Sequence, residues 1–217
     1  MRLVLLGAPG SGKGTQAELL TEKYGCAHIS TGDLFRHNLK NKTELGLQAE
    51  AFMNKGELVP DDLVVRMVSS RLRERNVARG FLMDGFPRTL PQAEAFDEIL
   101  KELGQPLDGV LLLDIDEDFL VRRLTNRRTC RSCGKIWNLL TLPISVRGCS
   151  ACGGELYQRG DDAEPVIRNR LKVYRDQTAP LVAWYKNRGI LHEHDASGTP
   201  EETFRDIRIT LEKHDIS

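Results

Sequence analysis

Apolar residues fall along the chain in two kinds of run. Arg2 to Leu6 is short, almost continuously apolar and ends at a Gly/Pro cluster, and Phe81 to Asp84 and Gly109 to Ile115 repeat the pattern. Runs of this kind predict strands covered on both faces, as in the middle of a parallel sheet. Between them lie longer stretches with helical spacing: Thr15 to Tyr24, Thr31 to Lys40, Asp61 to Arg75 after Pro60, Leu90 to Leu103 and Glu117 to Arg128. Helical periodicity resumes from about Asp162 to Lys186, a stretch near Ile190 suits a last strand, and Pro200 opens a closing helix to about Lys213. Strand and helix in alternation predict an α/β fold, a central parallel sheet flanked by helices.

From Thr129 to about Gln158 the texture changes to Gly, Cys and short polar runs. That is too long for an ordinary loop in a compact domain and predicts an inserted small subdomain. It carries Cys130-x2-Cys133 and Cys149-x2-Cys152 with fifteen residues between the pairs, a spacing that suits a four-thiolate zinc site. Four protein ligands leave no open coordination position, so such a metal is structural. Two disulfides are the alternative, which a cytosolic chain disfavours, and iron also accepts four thiolates. Arg131, Lys135 and Arg147 flank the pairs closely enough to offset the excess negative charge of the thiolates. Cys26 is left over as a small apolar residue.

The length of 217 residues suits one main core plus that insertion. Lys and Arg total 31 and so do Asp and Glu, so global charge gives no reason to expect a nucleic-acid or membrane partner. Leu3 to Leu6 is too short for a signal-peptide core or a membrane span, and a cytoplasmic protein is expected.

The run after the first strand, Gly7-Ala-Pro-Gly-Ser-Gly-Lys-Gly-Thr15, satisfies G-x-x-x-x-G-K. Gly7, Gly10, Gly12 and Gly14 are expected to take positive φ and turn their N–H groups inward as an anion nest before a helix, with Lys13 supplying a point charge. The hydroxyl that usually follows the lysine is Gly14 here, with Thr15 one place later. Direct magnesium ligation is thereby lost, and Asp84 at its strand end is placed to reach the ion through waters. A guanine-reading N-K-x-D is missing, since the nearest match, Asn41-Lys-Thr-Glu44, ends in Glu.

Two further runs, Ser30-Thr-Gly-Asp-Leu-Phe-Arg36 and Asp84-Gly-Phe-Pro-Arg-Thr-Leu-Pro-Gln92, accompany the phosphate loop in order. On these runs and the cysteine-bearing insertion, the chain resembles the adenylate kinases over essentially its whole length, in particular the bacterial long-lid form with a zinc-binding lid. The resemblance implies a P-loop nucleotide kinase fold: a core of 1–29, 60–128 and 160–217, an AMP-binding helical subdomain 30–59 and a lid 129–159. It implies reversible transfer of the terminal phosphoryl group of ATP to AMP, giving two ADP, by a cytoplasmic monomer with Mg2+ and a structural Zn2+.

The same resemblance assigns residues. Gly10, Ser11, Gly12, Lys13, Gly14, Thr15, Arg123, Arg127 and Thr199 fall at ATP, with Arg123 stacked on the adenine. Thr31, Arg36, Glu57, Val59, Gly85, Arg88, Gln92, Arg159 and Arg170 fall at AMP. Lys13, Asp84, Arg88, Arg123, Arg127, Arg159 and Arg170 carry the chemistry, Asp33 supports Asp84, and Asp161 and Asp162 are lid-hinge carboxylates. Elementary charge balance agrees, because two nucleotides brought together in a water-poor site repel strongly unless arginine forks spread over their phosphates. Arg123 and Arg127, spaced i, i+4, are expected on one helix face, with Leu120 and Leu124 toward the core. A glutamine amide both donates and accepts, matching an adenine edge, so Gln92 favours AMP over UMP, CMP or GMP. Trp137-Asn138 departs from the family's usual Tyr-His and implies altered lid packing. A nucleic-acid-binding zinc ribbon on an inactive P-loop is a second reading, against which net neutrality and the arginine set both argue.

Overall fold

The computed structural model describes residues 1–141 and 148–216. In chain order the elements are β1 (Arg2–Leu6), α1 (Lys13–Tyr24), β2 (Ala27–Ser30), α2 (Thr31–Lys40), α3 (Glu44–Lys55), α4 (Asp61–Leu72), β3 (Phe81–Asp84), α5 (Leu90–Glu102), β4 (Gly109–Asp114) and α6 (Glu117–Thr125). There follow β5 (Arg127–Cys130), β6 (Ile136–Asn138), β7 (Leu156–Tyr157), α7 (Glu164–Val173), α8 (Pro180–Asn187), β8 (Leu191–Asp195) and α9 (Pro200–Lys213). Five strands form a parallel sheet in the order β2-β3-β1-β4-β8.

The continuous apolar runs are explained by this sheet. On β1, Val4 and Leu6 pack into one core with Phe81, Met83, Val110 and Leu112, while Leu3 and Leu5 pack into a second with Leu82, Leu111 and Leu113. Alternate residues of one strand therefore face opposite helical layers, and neither face meets water. Each strand of the sheet leads toward the same edge, where the phosphate loop, Ser30 and Asp84 come together.

Besides the strands of the insertion, two elements gave no hydrophobic pattern to read. β2 is four residues long with only Ile29 fully buried, so it gives no apolar run to see. The helix α3 is fixed by its ends, with Thr43 accepting from Gly46 N at 3.1 Å, and by close backbone packing on α2. The stretch expected as one helix from Asp162 to Lys186 is broken. A 3-10 turn Gly160–Asp162 precedes α7, and a π turn Tyr174–Thr178 separates it from α8. Pro180 has no N–H to give, and the ladder slips there to an Ala179 N to Tyr174 O bond of 2.8 Å.

The largest correction concerns Glu117 to Arg128. The helix ends at Thr125, and Arg127 to Thr129 instead pair antiparallel with Asn138 to Ile136. Side chains satisfy the last turn: Asn126 Nδ2 donates to Arg122 O at 2.9 Å and Asn138 Nδ2 to Arg123 O at 2.9 Å. Arg123 and Arg127 therefore do not share a helix face. The three-stranded sheet β6-β5-β7 is the scaffold of the insertion, and it begins at Arg127.

Candidate active site

Gly7, Gly10 and Gly12 take φ of 145°, 90° and 102°, and these conformations curl the loop so that α1 starts at Lys13, not Thr15. Gly14 is helical, contrary to the expectation of positive φ. A Cβ at Gly14 would lie 3.8 Å from Ile136 Cδ1, so the missing hydroxyl sits where the insertion folds down over the loop. The first ladder bond runs from Gln16 N to Gly12 O at 3.0 Å, leaving the N–H groups of Lys13, Gly14 and Thr15 for an anion, while Ser11 N donates to Ala8 O at 3.1 Å. Ser11 does not line the cleft: it is buried, with its hydroxyl beneath Gly7.

Lys13 Nζ donates to Gly7 O at 2.7 Å and Ala8 O at 2.9 Å. Its pKa is lowered to about 8 by burial, with Asp84 pulling up and Arg88, Arg170 and Arg127 pushing down. Burial raises the Asp84 carboxyl, but His28, Lys13 and Arg88 together hold it below the ordinary carboxylate range. Burial likewise brings Arg159 and Arg170 down to about 10, each also lowered by Arg127. Cations crowd one another around a cleft of about 800 Å³, an arrangement completed only by negative charge. Arg36, Arg88, Arg123, Arg127, Arg159, Arg170 and Thr199 all reach this cleft.

The carboxylates are disposed to hold arginines. Arg127 Nε and Nη2 donate to the two oxygens of Asp162 at 2.8 and 2.5 Å, and Asp162 is fully buried. Arg170 Nη1 donates to Asp161 Oδ2 at 3.0 Å. Asp33 turns to Arg36, at 2.5 Å, and so faces an arginine in place of the expected support of Asp84. Removing one side of a buried ion pair strands the other charge. Asp162→Asn is expected to cost about 3 kcal/mol of stability in urea unfolding; an unchanged midpoint would show that Arg127 finds water instead.

A second, smaller pocket adjoins the first, lined by Thr31, Arg36, Glu57, Val59, Gly85, Arg88, Gln92 and Arg170 among others. Gly85 has φ 79°, and a Cβ there would lie 2.8 Å from Thr31 Oγ1 and 2.9 Å from Arg88 Nη2, so only glycine fits. Gln92 is buried: its amide donates to Asp61 Oδ1 at 2.7 Å and its oxygen accepts from Arg88 N at 2.8 Å. One donor and one acceptor site of the amide stay free for a ligand.

This architecture agrees with known proteins. The family model described as "Adenylate kinase" matches residues 5–190. Named adenylate kinases from Thermodesulfovibrio yellowstonii and Carboxydothermus hydrogenoformans are 53% and 51% identical to the chain over 214 residues, covering 98% of it and 100% of each relative. One from Archaeoglobus fulgidus is 48% identical over 98% of the chain and 99% of its own length.

The chain belongs to the adenylate kinase family. It is a nucleoside monophosphate kinase that transfers the terminal phosphoryl group of ATP reversibly to AMP, giving two ADP.

In this adenylate kinase the insertion, the lid, gathers its four cysteines. The Sγ atoms of Cys130, Cys133, Cys149 and Cys152 lie within 4.8 Å of one another, and all four are free thiols. Sulfurs of Cys130 and Cys152 are 3.5 Å apart and those of Cys133 and Cys149 3.6 Å. Tetrahedral bonding at a Zn–S distance of about 2.3 Å spaces sulfurs by about 3.8 Å, so the donor set fits zinc. Gly154 is part of the cradle, because a Cβ there would come within 2.8 Å of Cys130 Sγ. Arg131 pairs with Glu155 at 3.0 Å and lies over Tyr157, so its charge is engaged beside the cluster. Lys135 lies 5.3 Å over Trp137, and Arg147 lies outside the described residues.

Several site residues gave no sequence signal. Asp61 looked like a helix start after Pro60, yet it holds Gln92 and also accepts from Thr89 Oγ1 at 3.0 Å. Thr178, turned inward by the π turn, donates to Arg88 O at 2.9 Å. Asn138, part of the departure from the family pattern, ties the lid to the carbonyl of Arg123. No helix among the described residues is long and apolar enough to cross a membrane.

Proposed function

We propose that the large cleft is the donor site and the smaller pocket the acceptor site, and that phosphoryl transfer happens where they meet. The observation that carries this is shared lining: Arg36, Gly85, Arg88 and Arg170 border both cavities. ATP lies with its phosphates along Gly10 to Thr15 and its adenine against Arg123 and Thr199. AMP lies with its base at Gln92, Val59 and Thr31, near Glu57, and its phosphate toward Arg36 and Arg88.

The phosphate of AMP is already a nucleophile, so the protein's task is alignment and charge compensation. Lys13 leaves the loop carbonyls for the transferred group, Arg88 and Arg170 bridge the two nucleotides, and Arg127 and Arg159 close from the lid side. Each arginine is already aimed by a fixed partner, which removes reorganisation at the moment of transfer. Asp84 supplies the oxygen donors that suit Mg2+, held through waters, and Cys130, Cys133, Cys149 and Cys152 suit Zn2+. Bound Mg2+ neutralises donor phosphate charge. The helical segment 30–59 and the lid 129–159 close on the core 1–29, 60–128 and 160–217, in a cytoplasmic monomer.

Two adenosines joined by five phosphates would span both cavities. We expect this molecule to raise the melting temperature far more than ATP or AMP alone; equal shifts for all three would rule out adjoining sites. Gln92→Leu removes the amide from the acceptor base and from Asp61. KM for AMP is expected to rise about a hundredfold with KM for ATP unchanged, measured in a coupled assay.

A further inference from the structure

Phe119 is 60% exposed, the most exposed large hydrophobic side chain among the described residues. It borders the large cleft. On α6 it stands one turn before Arg123, spaced i, i+4, so the two share a face while Leu120 and Leu124 fill the core side. Arg123 itself hangs over the phosphate loop, with Nη2 3.8 Å from where a Cβ of Gly12 would be, and Nη1 directed to Ala196 O at 3.4 Å. The lid contributes Leu140, 47% exposed, to the lining of the same cleft. An aromatic ring and a leucine bare to water on the rim of one cavity form an apolar wall that a flat ligand would cover.

We propose that Phe119 is a binding residue for the base of the phosphoryl donor, continuing outward the platform that Arg123 begins and covering the exposed part of that base. The proposal rests on the donor placement given above. Any base presents a π face to such a ring, so the wall selects for a nucleobase on the donor without distinguishing adenine from guanine. The acceptor pocket reads its base through the buried Gln92, and its apolar lining, Phe35, Met53 and Val64, is buried or half-buried and not bare to water.

The test compares Phe119→Ala and Arg123→Ala with the parent enzyme, measuring KM for ATP, GTP and AMP. For Phe119→Ala, KM for ATP and for GTP is expected to rise about fivefold each, with the effect confined to KM and with KM for AMP and the melting temperature unmoved. Phe119→Trp retains the parent KM, and its added fluorescence responds to ATP and not to AMP. If Arg123→Ala raises KM for ATP and Phe119→Ala does not, the wall falls and the donor placement stands. If neither variant affects ATP, the donor placement falls with it. Equal shifts for ATP and AMP, or Phe119→Trp fluorescence indifferent to ATP, also overturn the proposal, and the fluorescence decides should Phe119→Ala fail to fold.

Discussion

Lys13→Met lowers kcat by about a thousandfold and leaves the protein folded. Among the described residues Lys13 is the one ammonium lining a cleft otherwise compensated by guanidinium groups, and the one cation hydrogen-bonded to the phosphate loop. The arginines around it have fixed carboxylate, hydroxyl or carbonyl partners, whereas Lys13 has only two carbonyls that a phosphate can displace. Its proton is also the least secure charge in the site. With a pKa of about 8 in the unliganded protein, kcat/KM for ATP falls as pH rises through 8. At saturating ATP the phosphates hold the proton on, and kcat persists to higher pH. The same group has a signature in stability. Between about 8 and its ordinary value of 10.5 the unfolded chain binds more protons than the folded one, so Lys13 makes the protein more stable as pH rises across that window. Below 8 its full cost is present. Lys13→Met removes both effects, and urea midpoints measured from pH 7 to 11, beside pH-rate profiles, check them. A profile of kcat/KM that keeps its limb near 8 in Lys13→Met would assign the titration to another group.

Loss of the zinc proposed for the lid has the second large effect. Among its described residues the lid has one short three-stranded sheet and little core: strands β6 and β7 contain no fully buried residue, and Cys130 and Cys149 are the best-buried side chains there with Thr129. An assembly this small needs a staple. Cys152→Ser, or prolonged treatment with a strong chelator, is expected to take the bound metal from one zinc per chain to none. The melting temperature then drops by about 10 °C and activity is largely lost, because Arg127 and Arg159 border the lid. Metal analysis, calorimetry and the coupled assay report these together. Metal-free protein that melts and turns over like the parent would mean that the thiols hold the lid without an ion, and iron in the analysis would replace zinc as the occupant.

How much of this was legible beforehand depends on where each signal lies in the chain. The central strands announced themselves because both of their faces are covered, and the phosphate loop because glycine spacing and the lysine are local requirements. The cysteine pairs were equally local. What failed was long-range. Whether Arg127 continues α6 or starts a strand is decided by Asn138 and Ile136 across a turn, not by the residues beside it. The role of Asp61 depends on Gln92, thirty-one positions away, and that of Thr178 on Arg88, ninety positions away. β2 was invisible because it is polar at His28 and Ser30 and gains its cover from neighbours. Family resemblance supplied the arginine assignments that periodicity alone would have left as a solvated basic face. The resemblance already marked Asp162 as a carboxylate that places arginines, but its particular pairing with Arg127, like the hold of Asp61 on Gln92, emerged only from the fold.

The lid leaves the core on β5 and returns on β7, and Thr129 stands directly opposite Tyr157 in that antiparallel pair. Its two ends are thus separated by one strand spacing, about 4.8 Å. The excursion closes on itself in this way, while α6 and α7 pack on each other outside it through Leu120, Leu124, Ile167 and Leu171. The position is a natural splice point. A foreign hairpin, a shorter loop or another metal knuckle joined at these two residues inherits a junction one strand spacing wide.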